Sequence, residues 1–241
     1  MQLNISKTKQ DVANNFADYL GDLMSSSESL HIALSGGSTP KIVFDELASR
    51  EIPKDVWKKV HLYWGDERCV PPTDDESNYK MTVEHLISKV EIPEKNIHRI
   101  KGENKPEYEA ERYTDVLKKE LPKTNKLPKF DLVILGMGDD GHTASIFPHE
   151  IDLWHSDKLC EVAEHPESGQ KRITMTGRII NHATEVTFLV TGGSKAEKVS
   201  EIINQEGDFK NYPANLVAPA SGKLLWFLDK AAAAGITSTQ S

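Results

Sequence analysis

Cysteine is scarce: Cys69 and Cys160 are the only two in 241 residues, and they lie far apart. A disulfide framework is excluded, and a reduced, cytoplasmic protein is expected. No apolar run approaches the ~18 residues that a membrane span needs. The opening stretch MQLNISKTKQDV has no apolar centre, so it does not read as a secretory signal. Basic charge is not in excess either. The formal net charge is −8, which argues against a general nucleic-acid binder. It leaves room for a small anion held by a few focused basic groups. No internal repeat, low-complexity segment or clear linker breaks the chain, which reads as one domain over residues 1–241. Several catalytic signatures are also missing. Without GxxxxGK(S/T) or GxGxxG no nucleotide is inferred, and without GxSxG no serine nucleophile. Without HExxH or CxxC spacing no metal is expected.

What is present centres on residues 130–148, FDLVILGMGDDGHTASIFP. Asp131 to Leu135 is a short apolar run rich in β-branched residues, the pattern of a strand buried in a parallel sheet. Gly136, Gly138 and Gly141 follow, around Asp139 and Asp140, and deliver His142 just past the strand end. In open α/β sheets ligands sit outside the carboxyl ends of strands. His142 there is suited to acid–base work near neutral pH. The alternative is a glycine-rich turn with a hydrogen-bonded ring.

Earlier in the chain, His31 to Leu34 reads as a strand and Ser35-Gly36-Gly37-Ser38-Thr39 as its loop. Pro40 suits a first helical position, with Thr39 as N-cap. Free amides and a helix dipole aimed at Gly37, Ser38 and Thr39 favour an anion, against the alternative of a plain tight turn. A strand at Val60 to Trp64 runs into Gly65-Asp66-Glu67-Arg68. Asp66 and Arg68 therefore fall on the same edge, as ligand groups or as an ion pair capping a loop. A further strand at Glu185 to Val190 ends in Thr191-Gly192-Gly193-Ser194-Lys195. Lys195 alone reads as a solvated helix-start lysine, but two glycine loops at strand ends point to a shared anion site.

Helices are expected at Lys9 to Met24, after Pro40, at Asn78 to Val90, Glu107 to Leu121 and Ala196 to Asn204. Gly177 to His182 reads as one helical turn, and Asp229 to Ala234 as a short helix. Remaining strands are expected at Ile97 to Ile100, Leu159 to Ala163, Arg172 to Thr176 and Leu224 to Leu228. Residues 122–129 read as a linker, and 235–241 are expected to fray. Strands alternating with helices predict an α/β fold with a mostly parallel sheet covered on both faces.

The sequence resembles the 6-phosphogluconolactonase family across most of its length. The resemblance rests on SGGSTP at 35–40, WGDER at 64–68, DESNY at 75–79, GMGDDGHTASIFP at 136–148, RIT at 172–174, TGGSKA at 191–196 and PANLV at 213–217. The related glucosamine-6-phosphate deaminases share SGGSTP, but they typically continue DGH with IAFNEP. Here residues 143–148 read TASIFP, which favours the lactonase. The resemblance implies a Rossmann-like α/β/α sandwich and no organic cofactor. It implies hydrolysis of 6-phospho-D-glucono-1,5-lactone to 6-phosphogluconate in the oxidative pentose phosphate pathway. The expected partner is that sugar-phosphate lactone, with the chain a monomer or weak homo-oligomer.

On that resemblance His142 is the expected general base, activating water at the C1 carbonyl and returning the proton to the ring oxygen. Asp66 orients His142 or the substrate. Arg68 stabilises the oxyanion or binds substrate. Gly37, Ser38 and Thr39 receive the phosphate, with Arg172 and Lys195 supplying charge. Cys69 beside Arg68 is either an activated thiol or a packed, inert one. The rivals are a deaminase or isomerase of the same fold and a non-catalytic sugar-phosphate sensor. Retention of His142, Asp66 and Arg68 beside the loops argues against the sensor.

Overall fold

Alternating apolar runs and amphipathic segments give, in chain order, β1 (Gln2–Ser6), α1 (Lys9–Ser26), β2 (Leu30–Leu34), α2 (Ser38–Ser49), α3 (Lys54–Trp57), β3 (Val60–Trp64), β4 (Asp66–Arg68) and α4 (Asn78–His85). Then come β5 (Ile97–His98), α5 (Pro106–Glu120), β6 (Lys123–Thr124), β7 (Leu127–Pro128), β8 (Leu132–Leu135), β9 (Cys160–Glu164) and β10 (Lys171–Met175). The chain continues through α6 (Gly177–Ile180), β11 (Glu185–Val190), α7 (Ala196–Asn204) and β12 (Leu224–Asp229). The computed structural model describes residues 1–237. Among them, no helix is long and apolar enough to cross a membrane.

Seven parallel strands form the main sheet, in the order β1-β12-β11-β8-β2-β3-β5. Every residue of β2, β8 and β11 is buried, as expected of central parallel strands covered on both faces. Helices flank the sheet, giving an α/β sandwich. α1 buries Val12, Phe16, Leu20 and Met24 and packs on α2 and β12. Its start is fixed by a capping box, in which Thr8 and Asp11 each accept the other's backbone amide.

From β2 the chain builds outward through β3 and β5, then crosses back to place β8 on the other side of β2. The order therefore reverses between β2 and β8. A crevice opens outside the carboxyl ends at such a switch point. The SGGST loop follows β2 and the GMGDDGH loop follows β8, so both descend on that crevice.

A second, antiparallel sheet, β4-β10-β9, stands beside it. Gly65 is the junction. Its amide donates to Leu34 O of the main sheet at 2.8 Å, and its carbonyl accepts from Met175 N of β10 at 2.8 Å. The segment read as a loop after β3 is therefore a strand, and Arg172 belongs to this side sheet.

Other departures from expectation have local causes. β1 was not anticipated, since it is an edge strand that fully buries only Ser6. The expected linker 122–129 forms the small hairpin β6–β7. The α4 helix stops short of Val90, because Leu86 leaves the helical region at φ −135° and ψ −66° with its side chain buried. The expected helix from Asp229 is a turn, in which the Asp229 carboxylate accepts from Gly192 N and Ala232 N. The expected fraying of 235–241 falls largely on residues 238–241, outside the described residues.

Candidate active site

Four segments converge on the switch point: the loops after β2, β8 and β11, and the side sheet. Together they enclose a cleft of about 230 Å³. Its walls include Gly37, Ser38, Thr39, Asp66, Arg68, His142, Arg172 and Lys195, so the expected catalytic and phosphate-binding residues line one cavity. Asn78, Gly138, Ala144 and Thr191 line it too.

The His142 loop is tightly folded. Gly138 N donates to His142 O at 2.9 Å, and Gly141 takes φ +81°, a region that favours glycine. Asp140 makes an Asx turn, its Oδ1 accepting from His142 N at 3.0 Å. The same oxygen lies 2.6 Å from the ring Nδ1. Burial alone raises the Asp140 carboxyl, but the ring, charge and amide of His142 outweigh it and hold the group at about 2. An ionised carboxylate only accepts, so Nδ1 carries the proton and Nε2 is left as the basic nitrogen. A Cβ on Gly138 would lie 2.1 Å from Nδ1 and 2.6 Å from Asp140 Oδ1, so only glycine fits beside this pair. His142 is about a quarter exposed, with its side chain at 26%. Its ring rests on Phe147 at 4.6 Å between centroids.

Asp66 does not hold the histidine. Its carboxylate accepts from Ser145 Oγ at 2.6 Å and faces Asn78 Nδ2 at 3.5 Å, while Asn78 Nδ2 donates to Asp66 O at 3.0 Å. The carboxylate that orients His142 is Asp140, two residues before it. An acid two positions ahead of a ring inside a glycine-bounded turn was the available sequence signal.

Arg68 and Arg172 are register partners across β4 and β10. Like charges directly opposite one another repel. Burial, then the charge of Arg68, lowers the Arg172 guanidinium from its ordinary value. The Nε atoms of both are buried without a hydrogen-bond partner. Arg172 lies over the Phe147 ring at 5.4 Å, which ties it to the same aromatic that supports His142. Arg172, buried, and Arg68, half-buried, line one cleft with their guanidinium groups, which suit an anion.

The α2 helix starts at Ser38, with Gly37 as N-cap at φ +111° and no side-chain cap. Thr39 is inside the helix rather than its cap. Its hydroxyl shares a 2.8 Å hydrogen bond with Thr191, which joins the two glycine loops. Lys195 is not a solvated lysine, for its Nζ pairs with Asp139 at 2.7 Å. Cys69 is not activated by Arg68: burial, followed by Glu67, pushes its thiol up to about 11. Both cysteines are free. Among the described residues no three His, Cys, Asp or Glu side chains gather as metal ligands.

Comparison with known proteins agrees over most of the chain. The sequence profile for glucosamine-6-phosphate isomerases/6-phosphogluconolactonase matches residues 4–226. A 6-phosphogluconolactonase of Haemophilus influenzae is 46% identical over 204 residues, covering 84% of this chain and 86% of that protein. The crystal structure of a 6-phosphogluconolactonase from Thermotoga maritima superposes with a TM-score of 0.81 at 29% identity, covering 95% of this chain and 99% of that one. A monomeric glucosamine-6-phosphate deaminase has the same fold, with a TM-score of 0.81 at 16% identity over 98% of this chain and 100% of that one.

Proposed function

The chain belongs to the glucosamine-6-phosphate isomerase/6-phosphogluconolactonase family, and from that premise we propose that it hydrolyses 6-phospho-D-glucono-1,5-lactone to 6-phosphogluconate, a step of the oxidative pentose phosphate pathway, with His142 as general base. The observation that carries the reading is the Asp140–His142 pair, with Nδ1 tied at 2.6 Å and the basic nitrogen left in a cleft that is also lined by Arg68 and Arg172.

In the proposed mechanism, water attacks C1 of the lactone while His142 Nε2 takes its proton. Charge develops on the former carbonyl oxygen, and Arg68 stabilises it. Asp140 stays ionised and favours the imidazolium. The intermediate collapses by breaking the bond from C1 to the ring oxygen, which receives the proton from Nε2. Asp66, fixed by Ser145 and Asn78, orients the sugar rather than the base. The phosphate is held by the amides and hydroxyls of Gly37, Ser38 and Thr39, with Arg172 and Lys195 supplying charge. We assign the activity to the cytoplasm, since the two thiols are free.

The residues after DGH, TASIFP, support lactone hydrolysis over deamination. The test is proton release from freshly generated lactone beside ammonia release from glucosamine 6-phosphate. The purified protein is expected to open the lactone well above the spontaneous rate and to release no ammonia. Ammonia release without lactone turnover would assign the chain to the deaminases instead.

A further inference from the structure

Two adjacent aspartates in the GMGDDGH loop have separate duties. Asp140 turns inward to His142. Asp139 reaches across the cleft mouth to the loop after β11, where Oδ1 meets Lys195 Nζ at 2.7 Å. Asp139 is 69% exposed at its side chain while Lys195 is 22% exposed. Lys195 first, and Ser194 after it, hold the Asp139 carboxyl below its ordinary value. A carboxylate thus sits on Lys195, the one lysine that lines the cleft among the described residues.

We propose that Asp139 is an internal counter-anion for Lys195, which the phosphate of the ligand must displace or share, and that it sets how tightly the site holds its phosphorylated product. The inference rests on Lys195 as a phosphate ligand. The phosphate does not change during ring opening. Extra affinity for it is therefore felt equally by substrate, transition state and product, and it adds nothing to turnover. The product carries the same phosphate and gains a carboxylate, so cationic groups delay its release. A resident carboxylate on Lys195 opposes that retention. Because Asp139 lies at the exposed rim, removing it leaves the Asp140–His142 pair and the arginines in place.

The experiment is calorimetric binding of 6-phosphogluconate, with gluconate as the unphosphorylated probe, to the wild type, Asp139→Asn, Lys195→Ala and the double variant. Exposed ion pairs are weak, so Asp139→Asn is expected to tighten 6-phosphogluconate about two- to fivefold. The gain shrinks as salt is added and is absent with gluconate. In the Lys195→Ala background the Asp139 substitution is expected to change nothing. Unchanged or weaker binding of 6-phosphogluconate by Asp139→Asn overturns the proposal, and weaker binding would mean that Asp139 aims the lysine instead. If Lys195→Ala itself leaves 6-phosphogluconate affinity intact, Lys195 is not a phosphate ligand and the reading beneath the proposal fails separately.

Discussion

Asp140 Oδ1 accepts from both the amide and the ring of His142, so one oxygen fixes the turn and the tautomer together. Removing the ring and removing the charge are therefore different experiments. His142→Ala is expected to lower kcat by roughly 10²–10⁴-fold, the usual worth of general-base catalysis, after spontaneous hydrolysis is subtracted. Asp140→Asn keeps an acceptor but loses the charge that favours the imidazolium, so a loss of roughly tenfold or more is expected. Near-normal turnover in His142→Ala, with the fold intact by circular dichroism, would make the ring structural. Arg172→Ala and Lys195→Ala are each expected to weaken the phosphorylated lactone by roughly 10- to 150-fold, the range for hydrogen bonds to charged groups. The unphosphorylated lactone offers no phosphate and is expected to lose little. Comparing kcat/KM for both lactones reads this out; equal losses would remove that arginine or lysine from the phosphate site.

Among the elements, β4 depends on a glycine distant in sequence. A Cβ on Gly102 would lie 2.3 Å from Arg68 O and 2.7 Å from Val70 O, both backbone atoms that cannot swing aside. The loop that carries Gly102 is anchored by buried Glu109, which accepts from Lys101 N and Asn104 Nδ2. Gly102→Ala is therefore expected to cost roughly 1–3 kcal/mol, as overpacking does. It should also lower kcat/KM by displacing Arg68. A thermal melt beside a kinetic assay checks both, and an unchanged melt would mean that the loop gives way instead. The contrast between β4 and the central strands shows what the sequence makes legible. β2, β8, β11 and β12 announce themselves because burial on both faces requires continuous apolar runs. β4 reads DER, since two of its side chains face a polar cleft, and nothing in three polar residues signals a strand. The glycine loops were legible because close backbone approach demands glycine. The Asp139–Lys195 and Asp66–Ser145 pairs were not, because each joins residues brought together only by strand order.

At the scale of the whole molecule, the sheet end remote from the cleft carries a stack of imidazoles from three neighbouring strands. His31 stacks on His61 at 4.4 Å, and His61 lies 5.8 Å from His98. Tyr63 OH is 3.1 Å from His31 Nδ1, and Ser29 Oγ is 3.3 Å from its Nε2. Burial first, then the charges of His61 and His98, brings His31 down to about 4, with Glu120 opposing. Burial also lowers His61 and His98. The folded state thus prefers these rings neutral. That contribution to stability is complete above the unfolded value of about 6.5 and is lost as pH falls from there towards 4. Urea midpoints are expected to drop between about pH 7.5 and about pH 5, and His31→Gln should flatten the slope. A midpoint unchanged in the wild type over that range would show that the stack does not resist protonation. At the other end of the sheet, the reversal between β2 and β8 sets a timetable. Ser38 and Arg68 leave the ribosome early, His142 and Arg172 follow, and Lys195 comes last. At about 5–20 residues per second, roughly 8–30 s separate Ser38 from Lys195. During that interval the proposed phosphate site is only half assembled, so a ligand is expected to give a nascent chain little help. An added sugar phosphate is therefore expected to protect the finished protein, and not to rescue a variant that fails before β11 docks.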